Sequence, residues 1–243
     1  MQTWGLTDPG NIRQQNQDAY AILPFGRDRV LMIVCDGMGG AKSGNVASSL
    51  AVEVFTDEVR RTQKAGMSPE KASAMLRSAL ELANRAVYEQ SQLSEDFTGM
   101  GTTLVAAWLN RDLAVIINVG DSRAYHFTKE DVRLITRDHS MVAYMVERGE
   151  LTQEQAKLHP GKNVITRAVG TEPEVEGDVF TCRLRREECI LLCSDGLSNE
   201  MADQEMLFEV VHGLNKSDCC QRLLHIAKKR GAPDNVTVAL AAV

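Results

Sequence analysis

The sequence predicts a single α+β domain in which antiparallel strands are interrupted by pairs of helices. Short apolar runs separated by polar breaks of hairpin length indicate antiparallel strands. Two long stretches with apolar residues along one face indicate helices inserted between those strands. This grouping favours α+β layers over a doubly wound parallel sheet. The 243 residues contain no repeat, low-complexity tract or linker rich in Pro, Gly and Ser, so we expect one domain over 1–243.

Apolar runs of four to eight residues predict the strands. They lie at 19–23, 30–35, 103–109, 113–119, 124–127, 132–135, 188–193 and 236–243. The polar breaks at 110–112 and 121–123 have hairpin length. Residues 103–135 are therefore predicted to form one continuous antiparallel meander.

The helices are predicted from apolar spacing and from capping residues. Residues 43–60 carry an apolar face, and a second helix opens at Ser68 as N-cap with Pro69 in the first helical position. Asp203 is the expected cap of a later helix with an apolar face formed by Leu207, Val210, Val211 and Leu214. Asn215 is the expected cap of the helix that follows.

Composition excludes several classes of protein. A net charge of -6, a pI near 5.5 and the lack of a basic stripe disfavour nucleic-acid binding. No apolar stretch approaches the roughly 18 residues of a membrane span, and the first residues lack the pattern of a signal peptide. The six cysteines are therefore expected to be reduced thiols and the protein a cytoplasmic monomer.

Four aspartates, Asp36, Asp121, Asp195 and Asp234, lie at the ends of predicted core strands. Any one of them, beside a glycine, is commonly a turn residue. Four together are harder to explain by turns, because unpaired carboxylates at buried strand ends are costly. If the strand ends converge, their oxygens predict a site for Mg²⁺ or Mn²⁺ rather than zinc. The five histidines lack the spacing of metal ligands.

Two further segments bear on ligand binding. The run Asp36-Gly37-Met38-Gly39-Gly40 lacks the spacing of nucleotide-binding loops, and its glycines allow the backbone to approach an ion closely. Arg13 offers a planar fork suited to a phosphate, although an arginine in such a loop is also compatible with simple solvation.

A set of short motifs in a fixed order resembles the protein phosphatase 2C family, in particular its bacterial single-domain members. The first four are Thr7-Asp8-x-Gly10-x-x-Arg13-x-x-Asn16-x-Asp18, Asp36-Gly37-Met38-Gly39-Gly40, Gly101-Thr102-Thr103 and Val119-Gly120-Asp121-Ser122-Arg123. The others are Thr136-x-Asp138-His139-Ser140, Ile165-Thr166-Arg167-x-x-Gly170, Cys193-Ser194-Asp195-Gly196 and Asp234-Asn235-x-Thr237. Together they span nearly the whole chain, from residue 7 to residue 237.

The resemblance implies a four-layer sandwich of two antiparallel sheets flanked by helix pairs. It also implies two core Mn²⁺ or Mg²⁺ ions and a third ion. Asp36 would bridge the core ions, and the Gly37 carbonyl would contact one of them. Asp195 and Asp234 would complete the ligand set of the first ion, and Asp121 with Asp195 would hold the third ion.

The implied activity is hydrolysis of phosphoserine and phosphothreonine by in-line attack of a water that bridges the ions. Arg13 would bind the substrate phosphate. Gln17, Asp18 and Asn235 are possible outer-shell residues. Two of the family's usual residues are replaced. Gln17 stands where a glutamate is common, and Met38 cannot donate a proton as a histidine there would.

The resemblance further implies a flap at 141–162, in which Thr152-Gln153-Glu154-Gln155 predicts a capping box and a short helix. Phosphoproteins are the implied substrates, among them a serine/threonine kinase that the enzyme would oppose. Two alternatives stay open: a metal-dependent hydrolase of small phosphoesters, and a catalytically silent binding or regulatory domain.

Overall fold

Two antiparallel sheets, stacked face to face, form the centre of the computed structural model, which describes residues 1–39, 43–213 and 215–243. The strands are β1 Gln2–Asp8, β2 Asp18–Pro24, β3 Arg29–Met38, β4 Gly101–Thr102, β5 Leu104–Asn110, β6 Leu113–Val119, β7 Arg123–Phe127, β8 Val132–Leu134, β9 Asp178–Arg183, β10 Cys189–Cys193 and β11 Val236–Ala242. The first sheet has the order β1-β11-β10-β7-β8. The second has the order β2-β3-β5-β6-β9, and β4 pairs with the end of β3.

Helices cover the outer face of each sheet. The α-helices of the described residues are α1 Gly44–Thr62, α2 Pro69–Ser91, α3 Met141–Glu147, α4 Gln153–Leu158, α5 Asp195–Ser198, α6 Asp203–Leu207 and α7 Cys219–Lys229. The pair α1 and α2 packs on the second sheet, whereas α5, α6 and α7 pack on the first. The α+β class and the flanked pair of antiparallel sheets are thus confirmed.

Strand β3 illustrates why the central strands appear in the sequence as unbroken apolar runs. Alternate side chains point to opposite faces of a strand. Leu31 and Ile33 pack under the helices, while Met32 and Val34 pack against the other sheet. Because both faces of the sheet are covered, every position of the run is apolar and buried.

The predicted meander over 103–135 is wrong. Strands β5 and β6 form one hairpin and β7 and β8 another, but β6 and β7 belong to different sheets. The break at 121–123 is therefore a crossing from sheet to sheet. Gly120 makes the turn with a φ of +99°, and buried Ser122 is fixed by a 2.7 Å hydrogen bond to the Thr103 hydroxyl.

Strands β1 and β9 are not predicted by the sequence because both lie at sheet edges. Their side chains are mostly half-buried and of mixed polarity, so the apolar pattern is weak. Two predicted helix caps are also wrong. Ala202 precedes α6, and its N–H donates to the Glu205 carboxylate (3.0 Å), while Asn215 precedes a 3₁₀ turn before α7. Gly40 and Leu214, used in two of the predictions, lie outside the described residues.

Other predictions agree with the structure. Ser68 accepts a hydrogen bond from the Lys71 N–H at the start of α2, and Thr152 and Gln155 form the capping box of α4. All six cysteines are free thiols. Among the described residues, none of the helices has the length and apolar composition needed to cross a lipid bilayer.

Candidate metal centre and active site

The four predicted aspartates meet at one end of the two sheets. Asp36 lies near the end of β3, directly opposite Asp18 of β2 in the strand register. Asp121 follows β6 after the Gly120 turn, and Asp195 begins α5 immediately after the end of β10. Asp234 lies two residues before β11. The convergence expected from the strand ends is therefore present.

These carboxylates are close enough to raise one another's pKa. Burial raises the pKa of Asp36 well above its ordinary value, and the charges of Asp18, Asp195, Asp121 and Asp234 raise it further. Burial, with the nearby Asp195 charge, raises the pKa of Asp121 to about 7. The pKa of Asp195 is also raised, first by burial and then by Asp234. Such mutual repulsion makes the cluster a strong attractor of cations.

Two carboxylate oxygens in the cluster have no hydrogen-bond partner. Asp18 accepts hydrogen bonds on Oδ2 from the hydroxyls of Ser194 (2.8 Å) and Thr237 (2.6 Å), but its buried Oδ1 accepts none. Asp195 likewise accepts on Oδ2 from the Asn199 amide (3.0 Å), whereas its Oδ1 is buried and unpartnered. Orphaned buried oxygens are costly unless an ion or water satisfies them. An oxygen-only set of this kind fits Mg²⁺ or Mn²⁺.

Arg13 lies against this cluster as a partner of Asp234. Its Nε and Nη2 donate to the two oxygens of Asp234 at 3.0 and 2.8 Å. The loop that carries Arg13 is fixed by Asp8, which pairs with Lys228 (2.9 Å) and accepts from the Gly10 N–H. Arg13 is mostly exposed, so its guanidinium borders both the carboxylates and the solvent.

The described carboxylates do not form a closed set of ligands. Within 1–39, 43–213 and 215–243, no three His, Cys, Asp or Glu side chains are arranged together as ligands of one ion. Both Asp234 oxygens are engaged by Arg13, and Asp18 Oδ2 is engaged by two hydroxyls. A carboxylate oxygen has two lone pairs, so an ion at Asp234 would share that carboxylate with Arg13 or displace it.

Two of the predicted outer-shell residues, Gln17 and Asn235, take part in hydrogen bonds that hold the loop carrying Arg13. Asn235 accepts the Gln17 N–H on Oδ1 (2.8 Å), and its amide donates to the carbonyls of Pro9 and Gln15, both at 3.0 Å. The Gln17 carbonyl in turn accepts the Gly37 N–H (3.1 Å). A side chain at Gly37 would collide with the Gln17 backbone, so only glycine permits this close approach.

Some residues that support the site received no role from the sequence. The Thr103 hydroxyl accepts the Asp36 N–H (2.9 Å), which fixes the backbone beside that carboxylate. Asn199 lies one helical turn after Asp195, a spacing at which helical side chains meet. That spacing is a usable signal, but it needs the helix at 195–198 to be predicted first. Of the Asp18 partners, Ser194 directly follows β10 and Thr237 lies in β11, so only the fold brings them together.

Comparisons with known proteins identify the class of protein that the two-sheet fold and the aspartate cluster indicate. The family model described as protein phosphatase 2C matches residues 12–231, and the chain belongs to this family. The serine/threonine phosphatase stp of Listeria welshimeri is 37% identical over 234 residues, which cover 96% of this chain and 92% of that protein. The fold, the enzyme class and the serine/threonine phosphatase activity expected from the motifs are thereby confirmed.

Two solved structures extend the comparison. The serine/threonine phosphatase Stp1 from Staphylococcus aureus is 36% identical, with a TM-score of 0.92 over 99% of this chain and 94% of that one. The catalytic domain of the phosphatase PstP, in complex with two manganese ions, is 30% identical, with a TM-score of 0.84 over 99% of this chain and 97% of that one. The family is metal-dependent, as the aspartate cluster predicts.

Proposed function

We propose that this phosphatase hydrolyses phosphoserine and phosphothreonine in proteins, using water activated by Mn²⁺ or Mg²⁺. The observation that carries the proposal is the convergence of Asp36, Asp121, Asp195 and Asp234 on one half-buried, repulsive cluster beside an exposed arginine. The names of the relatives, which are serine/threonine phosphatases, support the choice of substrate.

Each of these residues is assigned a part in the reaction. Asp36 and the Gly37 carbonyl would hold the core ions, with Asp195 and Asp234 as further ligands of the first of them. Asp121, with Asp195, would hold a third ion. When bound, divalent ions supply Lewis-acid activation of water and offset the charge of the phosphoryl group.

Arg13 is the substrate-binding residue in this proposal. In this structure its planar guanidinium donates hydrogen bonds to the two oxygens of Asp234, and the same geometry suits two oxygens of a phosphate. At 56% exposure its side chain is accessible to a phosphorylated segment of another protein. Met38, paired with Gly101 at the end of β3, carries no proton to donate, so we assign protonation of the leaving serine or threonine oxygen to water.

Phosphate release from a phosphothreonine peptide tests the proposal. We expect release with Mn²⁺, no release with EDTA, and a loss of about 10²-fold or more in Asp195→Asn, because a carboxylate ligand becomes a neutral amide. Equal rates in all three cases would refute the metal mechanism. Turnover of p-nitrophenyl phosphate without turnover of phosphopeptides would favour a hydrolase of small phosphoesters. Metal binding without turnover of either substrate would favour a silent binding domain.

The replacement Gln17→Glu is expected to tighten Mn²⁺ binding several-fold. Gln17 lies in the loop that borders Gly37, so the isosteric change adds one negative charge at the rim of the site without adding volume. Isothermal titration with Mn²⁺ measures the effect. Gln14→Glu, which adds the same charge at an exposed position nearby, is the matched control and should change affinity little. Unchanged or weaker binding in Gln17→Glu alone would contradict the charge argument.

The proposal extends to the cellular role. We assign to the enzyme substrates phosphorylated by a serine/threonine kinase, and the kinase itself among them. The monomeric state, the cytoplasmic location and the flap over 141–162 stay predictions. The flap segment contains α3 and α4, and a single bridge between Ser140 and Ile165 joins its two ends.

A further inference from the structure

His139 holds the residue that precedes Asp121 with two hydrogen bonds. The Gly120 N–H donates to His139 Nδ1 (3.1 Å), and the His139 N–H donates to the Gly120 carbonyl (2.9 Å). His139 is only 9% exposed, and the side-chain bond is buried. Both polar groups of the Gly120 backbone are thus engaged by one residue, and the Asn118 amide donates a further, longer bond (3.3 Å) to the carbonyl.

The direction of the Gly120 bond fixes the tautomer of the imidazole. A backbone N–H can only donate, so Nδ1 carries no proton and Nε2 carries it. Nε2 then faces Asp178 Oδ2 at a distance of 3.3 Å. Arg167 pairs with the other Asp178 oxygen (3.1 Å) and lies 3.2 Å from Nε2. One nitrogen of His139 therefore serves the Asp121 turn, and the other serves the start of β9.

The Gly120 turn has little freedom to adopt another geometry. A Cβ atom at Gly120 would lie 2.6 Å from the Thr103 methyl group, and the Thr103 hydroxyl accepts the Asp36 N–H. The turn thus packs against Thr103, which fixes the backbone of one proposed metal ligand, while the turn itself presents another. A change in the Gly120 peptide moves Asp121 relative to Asp36 and Asp195.

We propose that His139 is a positioning residue for the metal centre, which fixes the Asp121 carboxylate through the acceptor Nδ1. The inference rests on the proposed role of Asp121 and extends it to a residue that touches neither ion nor substrate. Residues that orient metal ligands typically alter metal affinity by 10- to 100-fold when replaced.

Replacing His139 with asparagine or with glutamine distinguishes the roles of the two imidazole nitrogens. The Oδ1 of asparagine takes the place of Nδ1 and accepts the Gly120 N–H, but it leaves Asp178 without its donor. Glutamine reaches the place of Nε2 and donates to Asp178, but it leaves the Gly120 N–H unpartnered. We expect His139→Gln to weaken the Asp121-dependent Mn²⁺ site about 10-fold or more and His139→Asn to stay within about 3-fold of the original protein.

Isothermal titration with Mn²⁺ in the absence of substrate is the deciding measurement, with thermal unfolding to confirm that both variants fold. Asp121→Asn identifies the site concerned, and the double variant shows whether His139 acts through Asp121. In that background, His139→Gln should have no further effect on Mn²⁺ binding. Equal losses in the two variants, a larger loss in His139→Asn, or full additivity with Asp121→Asn would overturn the inference.

The outcome is distinguishable from failure of the proposed function. If the unaltered chain binds no Mn²⁺ or releases no phosphate from a phosphopeptide, the proposed function itself fails. If the unaltered chain does both and His139→Gln binds Mn²⁺ as tightly, only the role of His139 fails.

Discussion

Replacing Asp36 with asparagine is expected to lower kcat by at least about 10³-fold while stabilising the metal-free protein. The catalytic loss corresponds to about 4 kcal/mol of transition-state stabilisation. In the proposed arrangement Asp36 would hold both core ions, so an amide at this position would weaken both. A change of this size is larger than that expected for Asp195→Asn, because Asp195 would hold one core ion and the third ion.

The stabilisation has a separate cause. Asp36 is the group whose pKa is raised by the charges of Asp18, Asp195, Asp121 and Asp234 together, in addition to its burial. Asparagine keeps the shape of the side chain and removes the charge that these neighbours repel. In EDTA we therefore expect a higher Tm for Asp36→Asn than for the unaltered protein, although its activity is lost.

Steady-state kinetics with Mn²⁺ and calorimetry with EDTA measure the two effects on the same samples. Asp112→Asn is the matched control, because Asp112 is 63% exposed in the β5–β6 turn and pairs with Arg183 instead of the cluster. Its kcat and Tm should stay near those of the original protein. A kcat for Asp36→Asn within 10-fold of the original, or a lower Tm in EDTA, would contradict the proposed arrangement.

The metal-free protein is expected to be more stable at pH 5 than at pH 7.5, and Mn²⁺ should reverse that order. Asp18 and Asp121 have pKa values of about 7, raised first by burial, against 3.8 for an ordinary aspartate. Between these values the folded protein holds protons that the unfolded chain has released. The resulting stability is complete below about pH 4 and is lost as the pH rises to about 7.

His139 opposes this trend at the acidic end. Its pKa is lowered, first by burial and then by the Arg167 charge, so acid protonates the unfolded imidazole more readily than the folded one. Protonation also removes the acceptor that holds Gly120. Four aspartates take up protons over the range in which this one imidazole resists protonation, so we expect His139 to reduce the gain in stability at pH 5 without reversing it.

Thermal unfolding at a series of pH values, once with EDTA and once with saturating Mn²⁺, measures this behaviour. Ions require deprotonated carboxylates, so their stabilising effect grows as the pH rises. Asp36→Asn should flatten the EDTA profile, because it removes a charge from the coupled set. A Tm in EDTA that is constant or increases from pH 5 to pH 7.5 would disprove the repulsive cluster.

The parts of the fold that the sequence predicts well are those buried on both faces. Strands β3, β10 and β11 appear as continuous apolar runs because helices cover one face and a second sheet covers the other. Edge strands β1 and β9 lack that signal. The same double burial hides which sheet a strand joins, so the apolar pattern predicts one meander through β6 and β7 although the chain changes sheets between them.

The candidate site likewise has parts that the sequence predicts and parts that it does not. The positions of the aspartates follow from the strand ends, and their number at such ends favours convergence on an ion. The Asp18 partners leave no comparable pattern in the sequence, because Ser194 and Thr237 act through contacts that only the folded chain creates. The assignment of each aspartate to a particular ion stays a prediction, as does the role of Gln17.

The ion pair between Arg13 and Asp234 makes metal and phosphate binding interdependent. Arg13 and an ion are both cations beside the two oxygens of Asp234, so the guanidinium repels the ion and acts as an internal competitor for the metal. A phosphoryl group that draws Arg13 away removes that competitor, and an ion that captures Asp234 leaves Arg13 available for the phosphoryl group. By thermodynamic reciprocity, each ligand then raises the affinity for the other by the same factor. The enzyme would thus bind its metal most tightly when a phosphorylated substrate is present.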